Sequence, residues 1–344
     1  MAASAWVPEP LKGAHVRRVS IVVATAALVA MGTALVFGCG GKPKVSLVAY
    51  STPAEAYAQL IPAFQATTAG KGVQFTQSYG ASGEQSRAVE AGLKADVVEF
   101  SLAPDMDRLV KAGIVASTWS QNQHKGFVTD SVVVLVVRKG NPKGIRTWDD
   151  LTKPGIQVIE PNPFTSGGAK WNIMAAYGAQ LKAGQTPAEA EQYLADLFSH
   201  VPVQDKSARD ALQTFVGGKG DVLLSYENEA ITAIQKGEAV EYVVPDATIL
   251  IQNPIAVTKD SPVATQAQAF VNYLYTVDAQ KIFVAKGYRS ILPQLNDSKT
   301  FPTPAQLFTI DDLGGWTAVN AKFFDPAGSV VANIEQNLGV STAK

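Results

Sequence analysis

A chain of 344 residues, 47% hydrophobic and 17% charged with a formal net charge of −1, exceeds one comfortable hydrophobic core, so two domains are expected. This balance excludes a disordered polymer, and the lack of long basic tracts argues against a nucleic-acid partner. Cys39 is the only cysteine, so no disulfide forms within the chain.

At the N-terminus Lys12, Arg17 and Arg18 precede an apolar run over residues 19–37 and then Gly38-Cys39-Gly40-Gly41. Residues 1–38 read as a signal peptide. Val36-Phe37-Gly38-Cys39 resembles the bacterial lipoprotein cleavage box, although Phe37 stands where a small or aliphatic residue is usual. Cys39 is therefore the expected lipidation site and residues 39–44 a lipidated tether, which puts the rest at the cell membrane on its extracytoplasmic side. A permanent membrane anchor and simple secretion are the competing readings, the run being just long enough to span a bilayer. Removing residues 1–38 takes away Lys12, Arg17, Arg18 and Glu9 and moves the net charge from −1 to −3. An anion must then be captured by local dipoles and donors, not by the overall field.

After the tether, residues 45–50 form an apolar strand that ends at Ser51-Thr52-Pro53, a helix start with a capping hydroxyl and a proline in the first turn. Tyr57, Leu60, Ile61 and Phe64 follow at helical spacing. Residues 73–78 alternate as a strand, Gly80-Ala81-Ser82-Gly83 turns the chain, a helix carries Val89 and Leu93, and residues 95–100 close a βαβαβ unit. The β-branched run of residues 131–138 predicts a buried strand passing between domains. Trp148-Asp149-Asp150-Leu151 reads as a capped turn, residues 155–159 as a strand, and residues 187–198 as a polar helix. A helix ending near Gly217-Gly218 and a strand over residues 221–225 complete a second βαβ set. Residues 254–258 return to the first lobe, on which helices within residues 263–286 and 309–324 are expected to pack. The fold class predicted is α/β in two lobes, each a mainly parallel sheet flanked by helices. Lobe 1 takes residues 45–130 and 254–344, lobe 2 residues 131–253, with hinges near residues 129–133 and 252–256.

Three segments place small residues directly before amphipathic helices: Ser78-Tyr-Gly-Ala-Ser-Gly-Glu-Gln85, Pro161-Asn-Pro-Phe-Thr-Ser-Gly-Gly-Ala-Lys-Trp-Asn172 and Asp205-Lys-Ser-Ala-Arg-Asp-Ala-Leu212. The first amides of a helix lack intrahelical acceptors and lie at the positive end of its dipole, so such ends hold anions. Ser82-x-x-Gln85 also fits a capping box, with Ser207-x-x-Asp210 a looser version. Each follows the carboxyl end of a predicted strand, where open α/β sheets bind ligands. In Ser166-Gly167-Gly168 two glycines uncover two amides and the hydroxyl adds a third donor; a tight packing loop is the plain alternative.

These segments, together with Lys-Ala-Asp-Val-Val, Val-Arg-Lys-Gly-Asn-Pro-Lys, Ser-Tyr-Glu-Asn-Glu-Ala and Leu-Phe-Thr-Ile-Asp-Asp, resemble the bacterial periplasmic sulfate-binding proteins, in order from Val45 to about Ile334. The resemblance implies a two-lobed Venus-flytrap receptor that closes on a dehydrated sulfate dianion, held by neutral donors, and passes it to the membrane permease of an ABC transporter. Carried onto this chain, the donors are the main-chain N–H groups of Ser51, Ser82, Gly167, Gly168 and Ala208 and the hydroxyl of Ser166. A seventh donor, an indole N–H in that family, falls on Tyr226, whose phenol accepts as well as donates. Ser51 stands where the family has an acidic residue. Arg87 and Arg209, near the helix ends, are assigned supporting ion pairs. The ligand implied is sulfate, with thiosulfate as a close relation, no cofactor or metal, and a monomer as the working unit.

The sequence leaves rival classes open. Thiosulfate, molybdate or phosphate would suit the same fold, and a surface lipoprotein with a vestigial pocket is a third reading. An extracellular hydrolase fits poorly. Beyond residue 38 the only histidines are His124 and His200, Gly80-Ala81-Ser82-Gly83 lacks nucleophile-elbow spacing, and Gly217-Gly218-Lys219-Gly220 lacks the P-loop pattern. Asp149-Asp150 and Asp311-Asp312 read as helix-start residues.

Overall fold

The structure, a computed structural model, describes residues 42–342. The expected signal peptide, Cys39 and the first residues of the tether lie outside the described residues.

The chain opens with β1 (Lys44–Tyr50) and α1 (Ala54–Gln65), which turns Tyr57, Leu60, Ile61 and Phe64 inward at helical spacing. Next come β2 (Gln74–Gly80), α2 (Ser82–Glu90), β3 (Val97–Glu99) and α3 (Ala103–Lys111). β1 lies between β2 and β3 and parallel to both. β4 (Phe127–Arg138) is followed by β5 (Val158–Ile159), α4 (Gly167–Lys182), α5 (Pro187–Ser199), α6 (Ala208–Val216), β6 (Val222–Tyr226), α7 (Glu227–Gln235) and β7 (Val240–Val243). Then β8 (Ala247–Val257) leads to α8 (Ala264–Leu274), α9 (Val277–Ala285), β9 (Gln306–Phe308), α10 (Gly315–Phe323) and α11 (Val330–Asn337).

The strand order β2-β1-β3-β8-β4-β6-β5 breaks naturally into two halves. β4 pairs antiparallel with β8 through Ser131 and Val132, then with β6 from Val133 to Val137. β8 changes partner in the same way, leaving β4 for β3 at Ile255. These two strands are the crossing points between the predicted parallel pairs, and they add antiparallel edges to each half.

Each half is covered on both faces, as a buried parallel sheet requires. In the first half, Tyr57, Phe64, Phe270 and Phe283 of α1, α8 and α9 pack one face, and Val89, Met106 and Leu109 of α2 and α3 the other. In the second, Trp171, Met174, Leu194 and Phe198 of α4 and α5 oppose Ala211, Phe215, Ala230 and Ala233 of α6 and α7.

The helices within residues 263–286 pack where the sequence predicts; the stretch over residues 309–324 does not. Val319, Phe323 and Phe324 join the cluster of Trp171 and Phe198 on the second half. Trp316 meets Trp171 edge-on at 4.7 Å, and Phe323 meets Tyr177 at the same centroid distance. On the same helix α4, Gly178 leaves room for Phe308 of β9. A Cβ there would lie 2.3 Å from the ring's Cε2 and Cζ. Gly178→Ala gains about 1 kcal/mol of helix propensity, but overpacking a buried ring costs about 1–3 kcal/mol. A lower thermal midpoint is expected; an unchanged or raised one would count against this packing.

Candidate functional site

The N-termini of α2, α4 and α6 converge. The Gly83 amide donates to the Thr165 carbonyl at 3.2 Å, joining α2 to the turn before α4. A Cβ on Gly168 would lie 3.3 Å from Ala208 Cβ, 3.4 Å from Ser166 Oγ and 3.5 Å from Tyr226 Cε1, which puts α4, α6 and the end of β6 in contact. Tyr50 brings the end of β1 to the same place, its ring 6.4 Å from that of Tyr226. Ser51, Ser82, Ser166, Gly167, Gly168, Ala208 and Tyr226 are all buried.

Accounting for the first-turn amides shows what this patch offers. In α4 the Ala169 amide is taken by Ser166 Oγ at 3.3 Å, and in α6 the Asp210 amide by Ser207 Oγ at 3.2 Å. The amides of Ser82, Gly167, Gly168 and Ala208 open their helices and have no acceptor within them. Because Ser166 Oγ only accepts in its cap, its proton remains available to a group in front of α4. None of these seven residues carries a charged side chain.

The local chemistry differs from the sequence expectation at two helix starts. Ser82 is not a capping residue: Ala81 holds the N-cap position without a side-chain bond, and the Ser82 hydroxyl donates to Asp105 Oδ2 at 2.6 Å while accepting from the Ser101 amide at 3.0 Å. Gln85 Oε1 accepts from Ser78 instead of closing a box. Likewise Pro53 caps α1 with no side-chain bond, and the Thr52 hydroxyl pairs with Tyr288 at 3.0 Å.

Arg209 and Arg87 part company. Arg209, second in α6, bonds both oxygens of Glu55 on α1, both of Glu229 on α7 and the Thr52 carbonyl. Burial disfavours its charge, yet the bonds from Glu229 and Glu55 outweigh this and hold it firmly protonated. Arg87 makes no ion pair among the described residues. It lines a small cavity of about 30 Å³ with Gly83, Arg108, Ser166, Gly167 and Lys170, where burial and repulsion from Arg108 lower its proton affinity.

Ser101 is the residue that motif reading misses. It follows β3 and is 1% exposed. Its Oγ lies 2.6 Å from the Tyr226 hydroxyl, and its carbonyl accepts from Trp171 Nε1 at 2.9 Å and Asn253 Nδ2 at 3.0 Å. Its position just beyond a strand's carboxyl end is the one signal the sequence carries. Burial pushes the Tyr226 phenol well above its ordinary range, against the bond from Ser101, so it stays protonated.

Two sheet halves joined by two crossing strands, with unspent helix amides meeting in a buried patch, define a two-lobed binding protein for a small anion. Residues 45–289 match the family described as bacterial extracellular solute-binding protein, and the chain belongs to that family. The sulfate-binding protein of Synechococcus elongatus is 44% identical over 302 residues, covering 85% of this chain and 86% of its own. A thiosulfate-binding protein of Pseudomonas aeruginosa is 33% identical over 321 residues, covering 88% and 96%. Among solved structures, the sulfate-binding protein SubI from Mycobacterium tuberculosis superposes with a TM-score of 0.80 at 46% identity, covering 82% of this chain and 100% of that one.

Proposed function

We propose that this protein captures sulfate between its lobes and delivers it to the membrane subunits of an ABC-type permease. The observation that carries the reading is the meeting of free first-turn amides from α2, α4 and α6 in one buried patch whose donor residues carry no charged side chain. At neutral pH sulfate bears no proton and only accepts hydrogen bonds, so a patch of donors suits it. Phosphate still carries a proton, and facing it with a donor leaves unsatisfied groups that cost roughly 1–3 kcal/mol each. Desolvating a dianion is expensive, and each charge-assisted bond returns about 1.5–3 kcal/mol. The amides of Ser51, Ser82, Gly167, Gly168 and Ala208, the Ser166 hydroxyl and Tyr226 are then all needed.

In this reading the protein does no chemistry. One lobe comprises residues 45–130 with the chain that returns after residue 254, the other residues 131–253 with the C-terminal helices laid on it. The hinges are the partner exchanges of β4 and β8. A lipid on Cys39 tethers the monomer at the outer face of the cell membrane. Thiosulfate is the second reading, favoured by the name of the Pseudomonas relative, since it too presents only acceptors at neutral pH.

Calorimetry with sulfate, competed by thiosulfate, molybdate and phosphate, tests the reading. Sulfate binding at about micromolar or tighter, with phosphate excluded, is the expected result. Trp171 is buried against Ser101 and provides a parallel fluorescence signal. Preference for another anion would move the specificity while keeping the fold, and binding of none would sink the receptor.

A further inference from the structure

Tyr226 and Ser101 together own two hydroxyl protons, and their oxygens are 2.6 Å apart in a fully buried place. One proton must lie between them; the other is free to leave the pair. Ser101 is firmly fixed. Its amide is bound to Ser82, and its carbonyl accepts from Trp171 and Asn253. A Cβ on Gly167 would lie 2.7 Å from Ser101 Oγ, so the hydroxyl is pressed against the first turn of α4. On the other side the Tyr226 ring lies beside Gly168. The phenol oxygen thus has the Ser101 hydroxyl as its near partner and the Asn253 side chain as a further one, while the ring edge borders the opening of α4.

A phenol hydroxyl keeps its proton near the ring plane, with one in-plane direction for the proton and the other for accepting a bond. We propose that Ser101 is the specificity-determining partner of Tyr226: it donates into the phenol's accepting side and thereby forces the phenol proton toward the anion. An amphoteric side chain becomes a donor, and the patch stays closed to a ligand that must itself donate. Ser101 need not touch the anion for this; it acts through Tyr226. The inference rests on the receptor reading above and names the residue that sets its selectivity.

Without the serine hydroxyl, the phenol proton is free to turn to the other in-plane direction, leaving a lone pair for the proton of hydrogen phosphate. Calorimetry on the full chain, with sulfate and inorganic phosphate as separate titrants, reads this as the ratio of the two dissociation constants. In Ser101→Ala the ratio is expected to shift toward phosphate by about ten- to a hundredfold, the range for one hydrogen bond gained or left unmade. Sulfate affinity should change far less. In a Tyr226→Phe background the Ser101→Ala change should leave the ratio alone, because no phenol remains to be oriented. A general loosening of the site would shift it in both backgrounds. Ser101→Cys, whose thiol is a weak donor, should move the ratio in the same direction and serves if the alanine variant is unstable.

An unchanged ratio, phosphate binding still undetected, or an equal shift in the Tyr226→Phe background would overturn the role of Ser101 while leaving the receptor standing. Failure of the unaltered chain to bind sulfate is a different result and removes both.

Discussion

Ser166→Asp is expected to abolish sulfate binding while the protein remains folded. Ser166 is the N-cap of α4, its Oγ accepting from the Ala169 amide, and aspartate caps a helix at least as well as serine. The carboxylate would therefore occupy the place where the amides of Gly167 and Gly168 face outward, and supply internally the negative charge they are free to bind. A dianion brought beside it meets roughly 4 kcal/mol of repulsion for each pair of unit charges at 4 Å and an effective dielectric near 20. Ser166→Ala provides the scale. It removes one donor to a charged ligand, about 1.5–3 kcal/mol of binding, and a cap, about 1 kcal/mol of stability. The two variants should part in opposite directions: the aspartate protein melts near the unaltered one and binds nothing, whereas the alanine protein melts lower and binds weakly. Tight sulfate binding by Ser166→Asp would show that the anion does not lie in front of α4.

What can be read from the sequence depends on whether a feature is local in the chain. Periodicity is local, so Tyr57, Leu60, Ile61 and Phe64 announce α1 and the β-branched run announces β4. Glycine before an apolar helix is also local, and the opening of α4 is readable from Ser166-Gly167-Gly168 alone. Which sheet an amphipathic helix covers is not local. Val319 and Phe323 mark α10 as having a buried face, but its partner is set by contacts distant in sequence, Trp316 with Trp171 and Phe323 with Tyr177 on α4. The same holds for the hydroxyl of Ser82. Its spacing to Gln85 satisfies a capping rule, yet Asp105 is the better acceptor once α3 packs beside α2, and the cap is given up. Ser101 has no motif because its role depends on four partners from separate elements: Ser82, Trp171, Tyr226 and Asn253.

The largest effect on stability should come from Arg209→Met. The guanidinium makes five hydrogen bonds, to Glu55 at 2.6 and 2.7 Å, to Glu229 at 2.8 Å twice, and to the Thr52 carbonyl at 3.1 Å. Glu229 is 0% exposed, so losing Arg209 strands a carboxylate with no water to solvate it. Breaking a buried pair in this way costs about 3–5 kcal/mol, or a fall in Tm of roughly 6–10 °C at about 2 °C per kcal/mol in a chain of this size. Glu55 is the weaker partner. It is partly open to solvent and retains Lys236 as a second cation, so Glu55→Gln should cost no more than about 1 kcal/mol. Replacing both ends of the buried pair, Arg209→Met with Glu229→Leu, should recover most of the loss, because the penalty is the unpaired charge and not the missing attraction. Acid titration gives an independent reading. Burial raises the affinity of Glu55 for a proton, but the bonds from Arg209 and Lys236 more than offset it and hold the carboxyl at about 2, below the ordinary 4.5. A group depressed on folding stabilises the protein above its unfolded value and ceases to do so as the pH falls toward its folded one. Denaturation midpoints of the unaltered protein should therefore decline between about pH 4.5 and 2 through Glu55. In Arg209→Met that decline should shrink, since Lys236 alone is left to hold the carboxylate. A variant that keeps both its Tm and its acid limb would mean that the bond across α1 and α6 contributes nothing to the fold.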